Sequence, residues 1–134
     1  MDYKNLIKTA MDYREKAYCI YSNFKVGAAV LFDSGKIYGG CNIENASFGA
    51  TNCAERTAIF KGISEGENNI TAIAVVGSFT DYTYPCGVCR QVIAEFGEKD
   101  TKIIIAKNLE EYVVKTLEEL LPSSFTKDDI DKKI

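Results

Sequence analysis

The sequence predicts an α/β fold, a three-layer α/β/α sandwich around a five-stranded mixed sheet. Three observations carry that expectation. A polar turn at Asp33-Ser34-Gly35 separates two strand-like runs, a strand–helix–strand unit spans Ile70 to Ala106, and amphipathic helical stretches alternate with the strands.

In chain order, Leu6, Ile7, Ala10, Met11, Tyr13, Ala17 and Tyr18 recur at three- and four-residue intervals, which predicts a helix over Asp2 to Tyr18 with Cys19 at its end in the core. Lys25 to Phe32 and Lys36 to Gly39 flank the turn and read as a hairpin. Gly40 to Asn52 is rich in Gly, Asn and Ser and fits neither period, so it reads as a loop leading to a helix over Cys53 to Ser64. Ile70 to Val76 is β-branched and apolar, as a strand buried on both faces requires. Pro85 precedes a helix over Cys86 to Phe96, with Val92, Ile93 and Phe96 inward, and Lys102 to Ala106 is a further buried strand. That unit implies a parallel pair with a right-handed crossover. Asn108 to Glu111 allows only a tight reversal, so Tyr112 to Thr116 returns antiparallel as the fifth strand. One short helical turn follows over Leu117 to Pro122. The tail from Ser123 is charged apart from Phe125, Ile130 and Ile134.

The 134 residues, 46% of them apolar, suit a single domain over 1–134, with its charged tail from about 123. Sixteen basic against nineteen acidic residues give a net charge of −3, and the basic residues are scattered, which argues against a nucleic-acid partner. Charges interrupt the first eighteen residues, so neither a signal peptide nor a membrane span is expected. Five cysteines and a metal-like pattern point to reducing surroundings and a cytoplasmic protein, not a disulfide framework.

The cysteine pattern carries the chemistry. Cys53-Ala54-Glu55 is followed by Pro85-Cys86-Gly87-Val88-Cys89, three thiolates and one carboxylate in the spacing of a catalytic zinc site. Three protein ligands leave one tetrahedral corner of Zn2+ for water, and Glu55 is placed to move protons. Cys86 and Cys89 fall on one side of a first helical turn and Cys53 opens another helix, where unpaired N–H groups favour thiolates. A C-x-x-C element alone also fits a redox dithiol, or a non-catalytic zinc-stabilised interaction module. The latter needs a fourth ligand, and with no histidine in the chain it would come from Cys41, Cys19 or a carboxylate. Three thiolates weaken zinc as a Lewis acid, and Arg56, next to Glu55, is placed to donate hydrogen bonds to the sulfurs. A surface or interface arginine is the other reading, and Arg90 fits either part.

These elements resemble the zinc-dependent cytidine deaminase family of the small homotetrameric type. The resemblance runs through Tyr21-Ser22-x-Phe24-x-Val26-Gly27-Ala28-Ala29, Gly40-Cys41-Asn42-Ile43-Glu44-Asn45-Ala46-Ser47, Cys53-Ala54-Glu55-Arg56, Pro85-Cys86-Gly87-x-Cys89-Arg90-Gln91 and Leu120-Leu121-Pro122-x-x-Phe125. It implies hydrolysis of cytidine and 2′-deoxycytidine with release of ammonia, one Zn2+ per subunit on Cys53, Cys86 and Cys89, and a homotetramer with shared active sites. Glu55 is implied as base and then acid, acting on water, pyrimidine N3 and the departing amine. The Ala54 N–H is implied to hold the base carbonyl, a carbonyl near Pro85 to meet the exocyclic amine, and Phe24 to pack the pyrimidine. Asn42 and Glu44 are implied to bind the ribose 3′-hydroxyl, and Phe125 to reach a neighbouring subunit's pocket. Phe48 stands where relatives often carry tyrosine. Related short deaminases act on other cytosine nucleosides such as blasticidin S, which is the alternative substrate.

Overall fold

A run of residues buried on both sides must lie between two layers of helix, and Ile70 to Val76 does. A computed structural model describes residues 2–131, in the order α1 (Lys4–Arg14), β1 (Gly27–Phe32), β2 (Ile37–Cys41), α2 (Ala54–Ser64), β3 (Ile70–Val76), α3 (Gly87–Phe96), β4 (Lys102–Ala106), β5 (Tyr112–Thr116), α4 (Leu117–Leu120) and α5 (Lys127–Asp131). The sheet order is β2-β1-β3-β4-β5. β3 and β4 are parallel, with Ala72 opposite Lys102 and Val76 opposite Ala106; the other pairs are antiparallel. The architecture is the α/β/α sandwich on a five-stranded mixed sheet.

Because successive strand residues point to opposite faces, each strand feeds two cores. On one face Leu6, Ile7 and Ala10 of α1 pack on Ala29, Ala74 and Ile104. On the other, Ala58 and Ile59 of α2 and Ile93 of α3 pack on Val30, Ile73 and Ile103. Each fully buried isoleucine or valine contributes roughly 1.5–3 kcal/mol of hydrophobic stabilisation. The helices approach the sheet at backbone contact. A Cβ on Gly27 would fall 1.9 Å from the Ala10 carbonyl oxygen, and one on Gly40 would fall 2.5 Å from the Ala58 nitrogen, so both positions require glycine.

Several boundaries differ from expectation for non-local reasons. The first helix ends at Arg14, not Tyr18, because Tyr18 forms an extended bridge with Ile43: its N–H donates to the Asn42 carbonyl (3.0 Å) and its carbonyl accepts from Glu44 (2.8 Å). Cys19 is therefore not a helix end, although it is buried. The first strand starts at Gly27 because the Val26 N–H is taken by the Asn42 side chain. The second strand runs on to Cys41, paired with Gly27, so the loop begins at Asn42, and a single 3-10 turn occupies Phe48–Ala50. The charged tail holds α5, which periodicity did not predict; Ile134 lies outside the described residues.

Candidate metal centre and active site

Each sulfur of the Cys53, Cys86, Cys89 trio sits at the start of a helix. Cys53 caps α2 and Cys86 caps α3, both in extended backbone, and Cys89 lies in the first turn of α3. The two cap sulfurs are 3.7 Å apart, and all three lie within 4.8 Å of one another. A tetrahedral zinc with Zn–S bonds of about 2.3 Å places its sulfurs about 3.8 Å apart, so the trio fits that ion. Thiolate donors suit zinc as well. Among the described residues no other group of this kind gathers: Cys19 and Cys41 are buried elsewhere, and burial pushes the Cys41 thiol up.

The trio shares its charge unevenly. The hydrogen bond with Cys89, helped by those from Arg56 and Cys86, draws Cys53 down to about 5. That same bond, together with burial, pushes the Cys89 thiol up. Arg56 donates from Nη2 to the Cys53 sulfur at 3.3 Å, while its buried Nε has no protein partner. Burial works against the guanidinium charge, but its bonds to sulfur win and hold it firmly protonated. Arg90 is partly buried and bonds backbone carbonyls, not the sulfurs. Its Nε donates to the Pro85 carbonyl and its Nη1 to the Leu120 carbonyl, each at 2.8 Å, tying the turn before Cys86 to the end of α4.

Glu55 lies in the first turn of α2 and is only 4% exposed. Burial, with the Cys53 thiolate adding to it, pushes its carboxyl up to about 7, where it can both take and give a proton near neutrality. Ala54, fully buried at the first position of the same helix, presents an N–H with no intrahelical acceptor.

Three of the expected nucleoside contacts, Phe24, Asn42 and Glu44, gather around one turn. Asn42, 8% exposed, donates to the Phe24 carbonyl at 2.8 Å and accepts from the Val26 N–H at 3.0 Å, which leaves it one N–H and one lone pair. Glu44 accepts from Tyr21 and Ser22, and lines a 360 Å³ pocket with Tyr21, Ser22, Phe48 and Thr51. Phe24 is 45% exposed beside it, and Phe48 meets Tyr21 edge-on, ring centroids 6.1 Å apart. Phe125 lies away from that pocket, 62% exposed, with its carbonyl accepting from Gln91 at 2.7 Å. No local pattern marks Ser22 for a role, because its partner stands 22 positions away.

Known proteins are similar to this chain in sequence and in fold. Residues 1–106 match the family model described as the cytidine and deoxycytidylate deaminase zinc-binding region, which places the chain among zinc-binding deaminases. It is 50% identical over 131 residues to a cytidine deaminase of Halalkalibacterium halodurans, covering 98% of this chain and 99% of that one, and 45% identical over 130 residues to that of Sporosarcina psychrophila, covering 97% and 96%. The crystal structure of cytidine deaminase from Burkholderia pseudomallei superposes with a TM-score of 0.86 at 45% identity, covering 93% of this chain and all of that one. The Mycobacterium tuberculosis enzyme gives 0.83 at 37%, covering 93% and 98%. The chain belongs to the cytidine deaminase family. Zinc is its cofactor, and the three-cysteine cluster is the candidate site for one ion per subunit. No described helix is long and apolar enough to cross a membrane.

Proposed function

We propose that this chain hydrolyses cytidine and 2′-deoxycytidine to uridine and 2′-deoxyuridine, releasing ammonia, as a cytoplasmic step of pyrimidine salvage. The observation that carries the proposal is a buried carboxyl, Glu55, one helical turn from a converged trio of sulfurs. Cys53, Cys86 and Cys89 would hold zinc, which when bound supplies Lewis acidity that makes a water acidic near neutral pH. Glu55 takes a proton from the attacking water and delivers it to N3 as the oxygen adds to C4. It then takes the proton of the hydroxyl now on C4 and gives it to the exocyclic nitrogen; the C4–N bond breaks, the C4 carbonyl forms, and ammonia leaves. One carboxyl thus serves as base and then acid.

The remaining residues orient the substrate. The Ala54 N–H holds the base carbonyl O2, and a carbonyl near Pro85 accepts from the exocyclic amine. Phe24 offers a flat apolar surface for the pyrimidine, and Glu44 with Asn42 binds the 3′-hydroxyl of the sugar. Arg56 draws charge from the Cys53 sulfur and so preserves the Lewis acidity of zinc. Phe125 completes a neighbouring subunit's pocket in a homotetramer; its exposure in a polar tail supports that role.

An ultraviolet assay on cytidine, deoxycytidine and blasticidin S, with zinc analysis of the same preparation, tests the reading. Turnover of both nucleosides with about one zinc per chain is expected. Turnover of the antibiotic alone would overturn the substrate assignment.

A further inference from the structure

Glu44 is held more firmly than a loop carboxylate facing water. Its Oε1 accepts the N–H groups of Tyr21 (3.0 Å) and Ser22 (3.1 Å), and its Oε2 accepts the Ser22 hydroxyl. The turn from Tyr21 to Phe24 is therefore folded around the carboxylate. Ser22 has a second bond: its oxygen accepts the Phe24 N–H at 3.0 Å. Between them Asn23 takes a left-handed conformation (φ 59°), which asparagine tolerates better than most residues. From the opposite side Asn42 ties down the Phe24 carbonyl and the Val26 N–H. Among the described residues, Ser22 is the one side chain bonded both to Glu44 and to the backbone of Phe24.

We infer that Ser22 is a positioning residue for nucleoside recognition, coupling the carboxylate that meets the sugar to the aromatic ring that meets the base. This rests on the proposed roles of Glu44 and Phe24. The chemistry is balanced at each atom. Oε1 is saturated by two backbone donors and the Ser22 proton occupies one side of Oε2, so one lone pair of Oε2 is left for a sugar hydroxyl, in a fixed direction. The Ser22 hydrogen bond also keeps Glu44 ionised below the ordinary carboxylate range, which suits a pure acceptor. Without the hydroxyl, Oε2 of Glu44 loses the donor that sets its direction, while Oε1 stays on its two backbone donors, and the Phe24 N–H loses its partner.

The test is steady-state kinetics on zinc-loaded protein carrying Ser22→Ala or Ser22→Thr, each in the parent and in a Glu44→Gln background. Ser22→Ala is expected to raise KM for cytidine about tenfold, the scale of one hydrogen bond to a charged group, with kcat within about twofold. Ser22→Thr, which keeps the hydroxyl, should restore KM to near the parent value. In the Glu44→Gln background, Ser22→Ala should add less than in the parent, because only the bond to the Phe24 N–H is then left to lose. An unchanged KM in Ser22→Ala, alongside a raised KM in Glu44→Gln, overturns this inference alone. Equal effects of Ser22→Ala in both backgrounds also overturn it, since they signify a general loosening of the turn. An unchanged KM in Glu44→Gln overturns the sugar assignment, and the inference with it.

Discussion

The two faces of the sheet are packed alike and used differently. Each receives helix at backbone contact through a glycine, Gly27 beneath α1 and Gly40 beneath α2, and each is filled by small and branched apolar side chains. They differ at the helix starts. α1 begins after Tyr3 with no side-chain cap, its first N–H answered only by the exposed Asp2 at 3.0 Å. α2 and α3 begin at Cys53 and Cys86, whose sulfurs meet 3.7 Å apart. A helix start concentrates unpaired N–H groups and partial positive charge, and converging two of them makes a place where thiolates and a buried carboxyl can coexist. The platform comes from burial common to both faces, and the chemistry comes from where helices begin on one.

The largest expected effect tests that division directly. Glu55→Gln removes the proton carrier without altering volume, so kcat should fall by about 10²–10⁴-fold while zinc content stays at the parent level. An active Glu55→Gln protein would overturn the mechanism. On the opposite face, Ile7→Val removes one buried methylene, which should cost about 1 kcal/mol in a denaturant titration and leave kcat within about twofold. A kinetic loss from Ile7→Val comparable to that from Glu55→Gln would erase the contrast between the faces.

Zinc loading gives the next effect. In the metal-free protein the bond from Cys53, and burial, keep the proton on Cys89, while Cys53 is already ionised down to about pH 5. Ligation requires thiolates, so binding at neutral pH must release the Cys89 proton, and affinity must weaken as pH falls, by about tenfold per unit for each proton displaced. Calorimetry in two buffers of different ionisation enthalpy measures that release. An affinity that is flat between pH 6 and pH 8 would show that the cysteines are not the ligands.

The same contrast explains what could be read from the sequence. β3, β4 and β5 are legible to the residue, since each is a short apolar or β-branched run bounded by turn residues. The starts of α2 and α3 are legible to within one residue: the sequence begins the helices at Cys53 and Cys86, and both cysteines stand at the caps just before them. What escapes is set by pairing across the chain. The early end of α1 follows from the bridge of Tyr18 to Ile43, and the extension of β2 to Cys41 follows from its register with Gly27. The turn around Glu44 depends on Ser22 and Tyr21, more than twenty residues upstream. Local periodicity reports the element, while the partner that trims or redirects it is stated elsewhere in the chain.

Alanine at the two close-approach glycines sharpens the comparison further. Both substitutions drive a methyl into helix backbone and should destabilise by about 1–3 kcal/mol, lowering Tm by several degrees. Gly27→Ala shifts α1, which carries no proposed chemistry, and its folded fraction should retain the parent kcat. Gly40→Ala pushes on the Ala54 carbonyl and the Ala58 nitrogen, so it displaces the start of α2 and should lower kcat/KM roughly tenfold or more beyond the stability loss. Identical kinetics for the two folded variants would mean that the position of α2 tolerates shifts that the proposed geometry forbids.

The smallest expected effect concerns the caps. α4, only four residues long, has a complete capping box, with Thr116 accepting from the Glu119 N–H and Glu119 reaching back to the Thr116 N–H at 2.8 Å. α2 is eleven residues long and has no side-chain cap bond, because cysteine stands at the cap. The backbone there (φ −74°, ψ 157°) already suits serine, whose hydroxyl would accept a first-turn N–H. Cys53→Ser should therefore stabilise the metal-free, reduced protein by about 1 kcal/mol or less, read as a small rise in Tm, while abolishing stoichiometric zinc binding. The zinc-loaded parent should still exceed both, since bound metal adds its own linkage free energy. A metal-free Cys53→Ser protein less stable than the metal-free parent would mean that the cysteine serves packing at that cap. The opposite order would show a helix start held below its best local stability so that it can hold a metal.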